Sequence, residues 1–228
     1  MANELFKQDL KRPDEFQSLF GRILETIVVN RTRIYLLGGA LAILAVWGMV
    51  WSVQSEKRNQ TAAGRLAQIL EQLPKGEGAP DWQKTATDLD QFLKENGSTS
   101  LAPSAKLYRG KALMALGRYD EAATSYREAA HALPKPERFL ALEGEGTALM
   151  ELKQWGEAEA RWAAIASDPV NPSRALHTWN LALTQEAGNR TNQAVKTYQD
   201  FETAFPDSKL LEKVRSRLTV LRQGTSVP

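Results

Sequence analysis

The amino-acid sequence predicts an all-α protein: a single N-terminal transmembrane helix followed by an α-solenoid of helix hairpins. Three observations carry this expectation. Ile34 to Ser55 is an unbroken run without a charged residue. One helix-entering phrase recurs at intervals of 36 residues, as LGRYDEAATSYREA at 116–129, LKQWGEAEARWAAI at 152–165 and GNRTNQAVKTYQDF at 188–201. The segments flanking these phrases carry apolar residues at helical spacing.

Composition narrows the function classes. The chain has 228 residues, 43% hydrophobic and 25% charged, as a folded protein does. A net charge of +2 argues against nucleic-acid binding, because no concentrated basic surface is present to displace counterions. The densest basic cluster is Lys11-Arg12, and acidic residues accompany the cations elsewhere. The chain has no cysteine, which removes disulfides, thiolate nucleophiles and cysteine metal sites, and fits an oxidising compartment.

The first expected element is a cytoplasmic amphipathic segment at 1–33. Phe16, Leu19, Phe20, Ile23, Leu24 and Ile27 share one face of a helix that Pro13, Asp14 and Glu15 would begin. Such a helix would lie on the cytoplasmic leaflet or lead into the span that follows. The transmembrane helix itself is expected at 34–55. About 20 apolar residues cross a hydrocarbon core roughly 30 Å thick. The aliphatic side chains from Ile34 to Val53 supply roughly −3 to −5 kcal/mol of insertion energy with no ionised residue to oppose them. Tyr35 stands at one end of the run, and Trp47 and Trp51 near the other, where interfacial aromatics belong. The run is too long for the apolar core of a signal peptide, so it reads as a retained anchor. Lys7, Lys11, Arg12, Arg22, Arg31 and Arg33 precede it, and Lys57, Arg58 and Arg65 follow it. That bias places the N-terminus in the cytoplasm and the large C-terminal part in the periplasm of a bacterium, with the anchor in the inner membrane.

Residues 56–103 read as a membrane-proximal, degenerate helix hairpin. Leu66, Ile69, Leu70 and Leu73 form one apolar stripe and Trp82, Ala86, Leu89 and Leu93 another, with the turn signal KGEGAP between them. Three repeats follow at 104–206. At a shift of 36, Ala122, Ala158 and Ala194 superpose, as do Tyr126, Trp162 and Tyr198, and Gly110, Gly146 and Ala182. Small residues let two antiparallel helices approach, aromatics fill the space between one hairpin and the next, and Pro134 and Pro206 stop the second helices of the first and third copies. Each hairpin leaves an apolar face uncovered, so the copies must stack. A capping helix is expected at 207–223, started by Asp207 or Ser208 and striped by Leu211, Val214, Leu218 and Leu221. A disordered tail at 224–228 completes the expected organisation.

The phrase GKALMALGRYDEAATSYREAAHALP resembles the tetratricopeptide repeat in its order of small, apolar, aromatic, alanine and proline positions, and GTALMELKQWGEAEARWAAIASDP resembles it nearly as well. The third copy departs from the pattern, with Thr191 at an aromatic position and Asn189 at a glycine position. The resemblance implies that first-helix residues line a concave partner-binding groove: Leu107, Lys111 and Met114, then Glu143, Thr147 and Met150, then Leu176, Trp179 and Leu183. Leucine stands at the first of the positions used by repeats that clamp a C-terminal carboxylate, so that mode is not expected here. Some of the nine could instead lie beneath the flanking helices.

Catalytic signals are lacking. His131 and His177 lie in different repeats and read as partly exposed helix residues. The run GEGTAL lacks the third glycine and the preceding strand of a dinucleotide site, and its glycines fall on packing positions. No enzyme activity, cofactor or metal is expected. The layout of cytoplasmic segment, anchor and external repeats, with the closing phrase FPDSKLLEKVRSRLTVL, resembles the bacterial translocon-ancillary (YfgM-like) family. That resemblance implies a chaperone-like module binding client or partner proteins, including translocon subunits and secreted clients, near the secretion translocon. The alternative is a structural scaffold or oligomerising subunit of a cell-envelope assembly.

Overall fold

The computed structural model describes residues 31–73 and 81–224, and all regular structure among them is helical. The amphipathic stretch at 16–27, the KGEGAP turn and the tail after Gly224 lie outside these residues. The elements are α1 (Arg31–Glu71), α2 (Trp82–Asn96), α3 (Ala102–Ala115), α4 (Tyr119–Ala132), α5 (Glu137–Glu151), α6 (Trp155–Ala166), α7 (Arg174–Ala187), α8 (Thr191–Ala204) and α9 (Leu211–Gly224). The chain forms two units, Met1–Lys57 and Arg58–Pro228.

The described part of the first unit is the apolar portion of α1, a helix long and apolar enough to cross a membrane. None of its most apolar window is buried by protein. Leu41, Ile43, Leu44, Val46 and Val50 are all exposed, together with Trp47 and Trp51, whose rings meet edge to face at 5.4 Å. A continuous apolar surface of this kind is stable against lipid and not against water.

The second unit is a solenoid in which each helix from α2 to α9 packs on its chain neighbours. It begins with Ala62, Leu66 and Ile69 of α1, which share a core with Leu89 and Phe92 of α2 and Ala105 of α3. Asp81 caps α2 by accepting the Lys84 N–H at 2.8 Å. Helices α3/α4, α5/α6 and α7/α8 are the three repeat hairpins, and the 36-residue period is visible in their backbone. In the first turn Gly117 adopts φ 73°, and its counterparts Lys153 and Asn189 adopt 58° and 60°. In each turn the same bond closes the helix end: Arg118 N–H to Leu113 O, Gln154 N–H to Leu149 O and Arg190 N–H to Gln185 O, at 2.9, 2.9 and 2.7 Å. This is the helix-ending motif that requires a left-handed residue. Asparagine tolerates that region well, so Asn189 does not weaken the third copy as its departure from glycine suggests.

Lysine tolerates it less. A side chain in the left-handed region costs roughly 1–2 kcal/mol, and the extra unfolded-state entropy of glycine returns about half of that. Lys153→Gly is therefore expected to stabilise the protein by about 0.5–1 kcal/mol. Urea unfolding checks this, and a loss of stability would show that the exposed Lys153 side chain contributes a contact of its own.

The aromatics set the spacing of the stack. A Cβ on Gly110 would lie 2.8 Å from the Tyr126 ring, one on Gly144 of the next hairpin 2.5 Å from the same ring, and one on Gly146 2.8 Å from the Trp162 ring. The tyrosine thus fills a slot with glycine on both walls, and the GEGTAL glycines serve as packing positions. Pro134 and Pro206 follow Leu133 and Phe205, both already outside helical geometry, as a residue before proline should be. Helix α9 ends the described stack. Leu210 N–H donates to Ser208 Oγ at 3.2 Å near its start, Val214 and Leu218 are buried against Tyr198 and Phe201, and Glu212, Lys213, Arg215 and Ser216 face outward. A polar outer face keeps such a stack from growing further.

Candidate functional site: the face of the first helices

The nine residues singled out in the sequence divide by exposure. Lys111 and Leu176 are exposed, whereas Leu107, Met114, Glu143, Thr147, Met150, Trp179 and Leu183 are half-buried. Leu107 and Met114 of α3 rest on the core around Leu113 and Ala148. On α5 the Thr147 hydroxyl donates to the Glu143 carbonyl at 2.9 Å, and the Met150 sulfur accepts the Trp162 indole N–H at 3.3 Å. Both methionines therefore give part of their surface to the core and present only the remainder outward. On α7 Trp179 packs on Tyr198, with ring centroids 5.5 Å apart.

The period orders these residues in rows: Leu107–Glu143–Trp179, Lys111–Thr147–Leu183 and Met114–Met150–Glu186. Leu176 belongs to a further row, Ser104–Leu140–Leu176, one turn earlier on each helix. Leu140 is 57% exposed and Leu176 40%, so this row carries the most open apolar side chains on the first helices. Leu140 was missed in the sequence reading, although shifting Leu176 back by 36 residues finds it. The third member of the last row is Glu186, which pairs with Arg217 of α9 and accepts the Tyr198 hydroxyl at 3.3 Å. A cavity of about 390 Å³ lined by Trp179, Glu212, Lys213, Ser216 and Arg217 lies beside it. At this end the capping helix covers part of the face, including part of the Trp179 surroundings.

Behind the face, the repeats are joined by polar networks. Glu145 is buried, with Arg127 Nε of α4 at 2.8 Å and Arg161 Nε of α6 at 2.9 Å. The first is a well-aligned hydrogen bond, whereas the second is an ion pair by proximity whose N–H does not point at the carboxylate. Such a pair holds three helices in register more than it adds net stability.

His177 is buried, unlike the partly exposed residue its sequence context suggests; His131 is exposed. The reason is the next-repeat interface: the imidazole stacks on Trp162 at 5.8 Å. Asn171 Nδ2 donates to Ile165 O at 2.6 Å and its Oδ1 accepts the Ser173 N–H at 2.9 Å, which fixes the amide orientation. The same Nδ2 meets His177 Nδ1 at 2.7 Å, making that nitrogen the acceptor. The neutral ring then carries its proton on Nε2, which faces Glu143 Oε2 at 3.4 Å. Burial pushes the Tyr126 phenol up to about 12, and the charge of Glu143 acts in the same direction. This Asn–His–Glu chain is tied to the backbone at Ile165 and Ser173. Among the described residues no group of three histidine, aspartate or glutamate side chains could hold a metal.

The comparisons with known proteins agree on the repeat class. Residues 81–135, spanning α2 to α4, and residues 179–208, spanning the end of α7 and α8, each match the tetratricopeptide repeat family. The chain therefore carries tetratricopeptide repeats, and modules of this class bind proteins and are typically not enzymes. Among solved structures, the chain is similar to MamA 41-end from Desulfovibrio magneticus RS-1, at 16% identity and a TM-score of 0.53. It is also similar to a MamA RS-1 ArsTM double mutant, at 17% identity and a TM-score of 0.52. Each match covers 73% of this chain and 97% of the other. At such identity the likeness establishes the fold alone. No curated protein matches the chain.

Proposed function

We propose that the protein is a membrane-anchored, chaperone-like interaction module that holds extended client or partner segments on the face of α3, α5 and α7. In this reading the anchor lies in a bacterial inner membrane, with the repeats periplasmic near the secretion translocon. The exposed pair Leu140 and Leu176, at equivalent places in successive repeats, is the observation that supports it. Regularly spaced apolar side chains beside two adaptable methionines suit segments of varied sequence. The six-to-three bias of Lys and Arg toward the N-terminal side of the apolar run supports the orientation.

The test is binding of a reduced, alkylated and permanently unfolded polypeptide to the detergent-solubilised full chain. Leu140→Asp/Leu176→Asp is expected to weaken binding at least tenfold. Exposed positions change stability by only about 0.5 kcal/mol, so helicity and unfolding midpoint should stay close to wild type. Unchanged affinity in a folded double variant contradicts this use of the face.

A further inference from the structure

We propose that Glu143 is the charge-reading residue of this face, so that the preferred partner segment carries a lysine or arginine between apolar side chains. The proposal rests on the binding role of the face given above. Most carboxylates facing other repeats already have a cation: Glu145 has Arg127 and Arg161, Glu159 has Arg190, and Glu186 has Arg217. Glu143 has none among the described residues. Among the described residues its carboxylate has one recorded side-chain contact, with His177, whose Nε2 lies 3.4 Å from Oε2.

The asymmetry of that contact matters. His177 and Asn171 are buried, and Asn171 is held by two backbone groups, so the imidazole N–H is aimed at one oxygen of Glu143 from the protein side. A donor held in this way orients the carboxylate while leaving its charge uncompensated. The Glu143 side chain is 37% exposed, which leaves room for a second partner. Leu140 lies one turn before it and Thr147 one turn after it on α5, and His177 belongs to α7, which also carries Leu176 and Trp179. An uncompensated carboxylate in an apolar setting attracts a cation more strongly than one on an open charged surface, because less water screens it. A guanidinium or ammonium flanked by apolar side chains satisfies both features at once. Segments with an acidic or neutral centre leave the carboxylate repelled or unpaired.

Three fluorescent dodecapeptides test this with the detergent-solubilised full chain. They share alternating leucine and serine and differ only in a central arginine, citrulline or glutamate. The arginine peptide is expected to bind about tenfold tighter than the citrulline peptide, the range of one charge-assisted hydrogen-bonded pair, with the glutamate peptide weakest. Glu143→Gln should abolish the arginine preference, bringing the arginine peptide down to the affinity of the citrulline peptide. Leu140→Ser/Leu176→Ser, which removes the apolar contacts without adding charge, should weaken the arginine and citrulline peptides alike. If arginine and citrulline bind equally to wild type while the leucine variant weakens both, the face binds peptides but Glu143 does not read charge, and this proposal falls alone. If the leucine variant changes nothing, or no peptide binds, the binding role of the face falls with it.

Discussion

Trp162→Ala is expected to lower the unfolding free energy by about 3–5 kcal/mol, the range for removing a buried tryptophan from a core that collapses only partly. The side chain is 1% exposed and among the largest fully buried in the protein. It occupies the slot that Gly146 leaves open, stacks on His177 of the following repeat and donates its indole N–H to Met150. Truncation therefore empties the boundary between the second and third hairpins and leaves the imidazole without its stacking partner. The rigid backbones of α5 and α6 limit how far the cavity can close. Trp162→Phe retains most of the apolar area and loses the weak sulfur contact, so its loss should be well under half as large. Urea unfolding followed by helicity reads both variants. A loss below about 1 kcal/mol for alanine would mean that the boundary is held by Glu145 and its arginines and not by aromatic packing.

Deleting residues 207–228 is expected to have a comparable or larger local effect. Val214 and Leu218 are buried against Ala182, Ala194, Tyr198 and Phe201, and Leu210 and Leu221 add partly buried surface. At roughly 1.5–3 kcal/mol for each fully buried aliphatic side chain, with part of that for the other two, α9 contributes about 4–7 kcal/mol to the third repeat. Its loss also frees Glu186 from Arg217. Repeat stacks distribute stability between neighbours, so the damage should stay local. Hydrogen exchange of the shortened chain is expected to show α7 and α8 unprotected while α3 and α4 keep their protection. Uniform loss of protection would show that the solenoid unfolds as one cooperative unit.

The fold was readable because the packing rules act on residue size at fixed spacing. Gly110, Gly146 and Ala182 align with Tyr126, Trp162 and Tyr198 from the sequence alone, and the structure places the two glycines against the Tyr126 and Trp162 rings and Ala182 in one core with Tyr198. The turn geometry was less accessible. Asn189 looked like a defect, and only its φ of 60° shows that it does the work of Gly117. The candidate face was readable in part. Its rows follow from the period, but how much of each side chain remains exposed depends on the neighbouring hairpin, which sequence spacing does not report. That is why Leu140 was overlooked and Trp179 looked more open than its packing on Tyr198 allows. The burial of His177 was hidden for the same reason: it depends on Trp162 and Asn171, which belong to the preceding repeat and its connecting loop.

These exposures choose the most direct measurement. Leu176 suits a probe better than Trp179, because substituting Trp179 would disturb the Tyr198 core as well as the face. A photo-crosslinking residue at position 176 of the full chain in living cells, compared with one at the exposed second-helix residue Glu128, reports which side of the solenoid meets partners. Crosslinks from 176 to translocon subunits or to several incompletely folded envelope proteins, absent from 128, are the expected result. Equal crosslinking from both positions, or none from 176, would contradict capture of partners on the face of the first helices.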